Sequence, residues 1–141
     1  MFGKVRGAVE ALKAAARALD PACVDGRDAA ALLEVVSEGE RVCGAMKALL
    51  ARRVGETNVW REAGHRSAAH WVADATGETV GAACRTLETA RALDVLPETD
   101  AAFREGRLSQ TQAAEITGAA GADPAAEAQL LDAAGSTSVR G

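Results

Sequence analysis

An all-α fold is predicted for this chain by three features. Alanine supplies much of an apolar content of 48%, aromatics are only 3%, and tyrosine is absent. Alanine is the strongest helix former and packs poorly in sheets. β-Branched runs are scarce, and apolar residues recur three and four apart, which is helical periodicity. The expected architecture is a long N-terminal helical hairpin over 1–56, followed by a bundle of short helices over 57–141 with helix-turn-helix-like turns. At 141 residues the two parts suit one continuous domain with a modest core.

The first helix is expected over about Gly3 to Leu19, where Val5, Ala8, Leu12, Ala15 and Leu19 form a narrow stripe. The stretch "DPACVDG" breaks it. A longer helix runs from about Arg27 to Arg53, with Leu32, Val35, Gly39, Val42, Met46 and Leu49 at heptad spacing. That stripe serves either a hairpin with the first helix or a homodimer through the long helix. "VGETNVWREAGHRS" reads as a loop or broken helix. Ser67 caps a short helix, Ala68 to Thr76, which Gly77 ends; a hydroxyl before the first turn and a glycine after the last are the usual signals. Thr79 caps the next helix, in which Leu87 is an apolar contact. Pro97 stops that helix and opens another, closed by Gly106. Ser109 and Gln112 form an S-x-x-Q capping box. Asp123 and Pro124 open the last helix, and "GSTSVRG" looks like the start of a further one, so the chain is expected to be cut short at its C-terminus.

The formal charge is −4, whereas compact DNA-binding modules are more often basic. The charge is segregated. Residues 1–19 carry Lys4, Arg6, Lys13 and Arg17 against Glu10. Residues 20–40 carry Asp20, Asp25, Asp28, Glu34, Glu38 and Glu40 against Arg27, and residues 41–66 turn basic again. Such blocks are either solvated helix faces or phosphate-binding patches. Three widely spaced cysteines, Cys23, Cys43 and Cys84, make neither a disulfide framework nor a zinc motif. Cys43 and Cys84 are expected as buried thiols on apolar faces. No signal-peptide-like or membrane-spanning run occurs, so a cytoplasmic protein is expected.

Both histidines, His65 and His70, fall near Trp60 and Trp71. Five residues apart, with one in a loop, they are not the i, i+4 pair of a helical zinc site. Ala68, Trp71, Val72 and Ala75 share a face, so Trp71 is expected as a core anchor with Trp60 beside it. His70 should point to water and reach Asp74. Arg66, Ser67 and the amides that follow could instead bind phosphate.

Two turns have a helix-turn-helix layout. In the first, around Gly77, the groove-facing side chains would be Thr79, Arg85 and Thr89. In the second, after Gly106, Ser109, Gln110, Thr111 and Gln112 stand at a helix start flanked by Arg104 and Arg107. Glutamine can read adenine, and serine or arginine can hold phosphate. With Arg61 and Arg66, these are the DNA-binding candidates. A plain capping box joining packed helices is the competing reading.

"GHRSAAHWVADATGETVGAACRTLETARALDVLPETDAAFREGRLSQTQAAEI" resembles an actinobacterial family, domain of unknown function 222, also called the mycobacterial REP-type repeat family. The resemblance covers about Leu32 to Leu131. It rests on Gly64, Ser67 and Trp71, then Gly77, "LDVLPET" and "EGRLSQTQAAEI". It implies a helical domain that precedes an HNH endonuclease domain in the same polypeptide. This chain holds no His-Asn-His constellation and only one asparagine, Asn58, so no nuclease activity, metal or cofactor is expected of it alone. The resemblance carries over no catalytic residue. A DNA-associated accessory domain and a helical interaction or oligomerisation module are the two functional expectations.

Overall fold

The structure, a computed structural model, describes residues 1–121 and 123–140, with residues 136–140 by their backbone alone. Among the described residues there are eight α-helices and no strand: α1 (Phe2–Ala18), α2 (Gly26–Gly55), α3 (Val59–Glu62), α4 (Ala68–Thr76), α5 (Val80–Ala92), α6 (Pro97–Arg104), α7 (Gln110–Ala120) and α8 (Glu127–Arg140). None is long and apolar enough to cross a membrane. The local signals act where their chemistry predicts. Ser67 Oγ accepts from the His70 amide, Thr79 from Ala82 and Ser109 from Gln112, and Gln112 returns a bond to the Ser109 amide. Gly77 ends α4 at φ 75°, a left-handed conformation open to glycine at little cost. The stretch read as a loop or broken helix contains one short helix, α3.

Two compact units are present, and the division falls inside α2, between Val36 and Ser37. Unit 1 holds α1, a 3-10 turn at Pro21–Cys23 capped by Asp20, and the first turns of α2. It has no core of its own: α1 contains no buried residue, and Leu32, Leu33, Val35 and Val36 are exposed.

Unit 2, from Ser37 onward, has two apolar clusters. One joins Ala45 and Ala48 of α2 to Ala90, Leu93, Ala102, Phe103, Leu108, Ala113 and Ile116. The other joins Ala51 to Ala69, Val72 and Ala73 of α4 and to Ala83 and Leu87 of α5. Alanines on facing helices let the backbones approach closely, and Phe103, 1% exposed, is the largest fully buried side chain of the first cluster. Leu87 is buried, as its apolar role requires.

Three expectations about orientation are corrected. All three cysteines are exposed. Cys43 sits one position before the buried run Gly44 and Ala45, and one residue turns a helix by about 100°. The buried face of α4 is Ala69, Val72 and Ala73, with Ala75 exposed. Trp71 therefore lies at the edge of its cluster, half-buried, rather than at its centre.

Candidate nucleic-acid interface

The loop before α4 reverses the expected roles of the histidines. His65, held by its amide to Trp60 O at 3.0 Å, places Nε2 3.5 Å from Asp74. His70 is half-buried and turns back over its own cap, with Nδ1 2.7 Å from Ser67 Oγ. Helical side chains lean toward the N-terminus, which carries His70 to Ser67 and away from Asp74. The Ser67 hydroxyl is thus engaged twice, by the His70 amide and by its ring. Trp60 is half-buried, and the Arg61 guanidinium stacks over its ring at 5.1 Å. Arg66 is exposed and makes no ion pair among the described residues.

In the first helix-turn-helix-like turn most of the polar groups already have partners. Glu78 pairs with Lys47 of α2 at 2.9 Å. Thr79 is exposed, with its hydroxyl engaged as the cap, and Thr89 is only 6% exposed, so the Thr89 hydroxyl is not presented to a groove. Arg85 remains, on the wall of a cavity of about 440 Å³ between α2, α5, α6 and α7 that Phe103, Gln110 and Glu115 also line.

The second turn is built tightly. Gly106 adopts φ 78°. A Cβ there would stand 3.0 Å from Val42 Cγ2 and 3.1 Å from the Glu38 carbonyl oxygen. The Arg41 guanidinium donates to the Gly106 carbonyl from α2. Gln110 lies against Gly44, whose missing side chain leaves its place, and donates to the Gly44 carbonyl at 3.4 Å. Ser109 and Gln112 are committed to each other's backbone amides. Arg104 pairs with Asp100 and Arg107 with Glu105, both at 3.0 Å. Of the nine DNA-binding candidates, Ser67, Ser109, Gln110 and Gln112 are occupied with caps or helix docking. Arg104 and Arg107 are countered by carboxylates. Arg61, Arg66 and Arg85 keep exposed cations, but in different places: beside α3, before α4 and on α5.

Several determining contacts carry no local sequence signal, apart from the i, i+4 pair of Arg52 with Glu56. Arg52 of α2 bonds Glu56 at 3.0 Å, the Ala90 carbonyl at 3.4 Å, and Asp94. Asp94 first, then Glu56, holds its guanidinium above the ordinary arginine range; Arg52 first, then Arg53, holds the Glu56 carboxyl below the ordinary carboxylate range. Glu127, the first residue of α8, accepts from both the amide and the hydroxyl of Thr99 through one oxygen. Leu96 gives α6 no side-chain cap, so a buried carboxylate 28 residues away serves as one. Among the described residues no three metal-ligating side chains gather.

No curated protein and no solved structure matches the chain. A family match spans residues 29–140, slightly more than the segment on which the resemblance was read, and so includes all of unit 2's described helices. It takes in both turns, the capping box and the Glu127–Thr99 contact, and the chain belongs to the family described as a domain of unknown function, DUF222.

Proposed function

We propose that this chain is a non-catalytic helical interaction module, in which unit 2 is the folded platform and unit 1 is the surface offered to a partner. One observation carries the reading: Phe2, Leu12, Leu33, Val35 and Val36 are each more than 60% or about 60% exposed, at 76%, 60%, 66%, 64% and 61%. Scattered exposed apolar residues are ordinary; a run of them along two helices marks an interaction site. The test pairs an apolar fluorescent dye with sedimentation over a concentration series. The reading expects either dye binding by the dilute chain or association at higher concentration, both weakened by Leu12→Glu with Leu32→Glu. A monomer that binds no dye refutes it.

A cytoplasmic location is proposed beside this reading and does not rest on the family resemblance. The resemblance described above supports a parent polypeptide in which an HNH nuclease domain follows this one. Reading the coding sequence past Gly141 tests that, and an immediate stop codon counts against it. A second reading, contact with DNA, is favoured by the exposed cations of Arg61, Arg66 and Arg85 and by the basic face of α1. Fluorescence anisotropy with a labelled duplex should then show binding that weakens steeply with salt. No binding at low salt removes that reading.

A further inference from the structure

We propose that a second copy of this chain covers unit 1, the basic α1 of each copy lying along the acidic opening of α2 in the other. The inference rests on the reading of unit 1 as an interaction surface and names its partner. Phe2, Val5, Val9, Leu12, Ala16 and Leu19 alternate three and four apart along α1 and just past its end. That spacing is the seam of a two-helix coiled coil. Yet Phe2, Leu12 and Leu19 are 76%, 60% and 57% exposed. On α2, Leu32 and Val35 are 49% and 64% exposed. With Cys23, Val24 and Ala31 they line a groove at the start of that helix. One chain therefore presents an apolar ridge and a groove that is apolar apart from Asp28 on its wall, both largely uncovered, with Val5, Val9 and Val24 half-buried.

Charge decides which helix meets which. Residues 1–19 carry four cations against one anion, a net +3. Residues 20–36 carry Asp20, Asp25, Asp28 and Glu34 against Arg27, a net −3. Pairing α1 with α1, or one α2 opening with another, sets like charge against like. Pairing α1 with the α2 opening of a second copy sets +3 against −3, and a two-fold axis repeats the contact so that both ridges and both grooves are covered at once. The Arg6–Glu10 and Lys13–Glu10 pairs within α1 leave Lys4 and Arg17 free of ion pairs among the described residues.

The experiment is sedimentation equilibrium of the full chain, with dye binding measured on the same samples. A dimer is expected. Leu12→Glu with Leu32→Glu should weaken it roughly tenfold or more, because a carboxylate would enter the seam. The melting transition of unit 2 should stay unchanged and shows that the variant is folded. Lys13→Glu with Arg17→Glu should weaken self-association, and so should Asp28→Lys with Glu34→Lys. Mixing the two charge variants should restore a dimer, since each α1 then meets an opposite charge. Stronger self-association by Lys13→Glu with Arg17→Glu alone would mean that α1 meets α1 and overturns the arrangement. So does a dimer indifferent to all unit 1 changes. A monomer that binds dye overturns the second copy while leaving unit 1 as an interaction surface, and a monomer without dye binding removes both.

Discussion

Glu127→Ala is the substitution for which the structure makes the strongest demand. Glu127 is 7% exposed and Thr99 is fully buried. The carboxylate takes the amide and the hydroxyl of Thr99, the hydroxyl at 2.8 Å. A hydrogen bond to a charged group contributes about 1.5–3 kcal/mol, and a buried donor left without a partner costs about 1–3 kcal/mol. The two bonds share one oxygen, so they do not add fully. The negative charge near the first turn of α6 adds about 0.5 kcal/mol. A loss of about 3 kcal/mol follows, or roughly 10–20 °C in the melting temperature of a domain of about 100 residues. Thermal denaturation followed by circular dichroism measures it, and amide exchange at Thr99 localises it, because protection there should fall first. Glu127→Gln keeps an acceptor oxygen and should lose about half as much. Glu98→Ala, exposed on the same helix, is the control and should stay within about 0.5 kcal/mol of the parent. A Glu127→Ala protein that melts with the parent would refute the assignment of Glu127 as the cap of α6.

Four further outcomes follow from the geometry. Gly106→Ala must place a Cβ against Val42 and the Glu38 backbone at a left-handed φ, and should cost about 2 kcal/mol or more, read by urea denaturation; a neutral result would mean that α2 and the turn are not docked this closely. Trp71→Ala should cost about 1.5–3 kcal/mol by the same measurement, below the range for a fully buried ring because Trp71 sits at a cluster edge, while Ser67→Ala should cost about 1 kcal/mol through the lost cap. All three thiols should react with a small disulfide reagent in the native protein, and a Cys43 or Cys84 that reacts only after unfolding would restore the buried placement.

The helix ends were legible in the sequence because capping closes within three or four residues. Ser67, Thr79 and the Ser109–Gln112 box act as the spacing predicts, and Gly77 and Gly106 take the left-handed φ that ends a helix. What the sequence by itself determined is therefore the all-α class and the capped starts of several helices. It did not determine the full set: α8 runs on to Arg140 where a further helix is expected from Gly135, and α3 lies in a stretch that reads as a loop or broken helix. The buried face of each helix was less legible because alanine surrounds most of them, so a stripe read from a few larger side chains can be wrong by one position. That one position exposes Cys43 and moves Trp71 to an edge. The DNA-binding candidates were chosen for hydrogen-bonding capacity, but only packing decides whether that capacity is free. Gln110 meets Gly44 across 66 residues, Arg41 meets Gly106 across 65, and Glu127 meets Thr99 across 28. Such contacts depend on how helices dock after they form, and docking is set by volume and close approach rather than by local spacing. The tertiary structure alone decided which polar groups are consumed in holding unit 2 together and which apolar faces of unit 1 stand open.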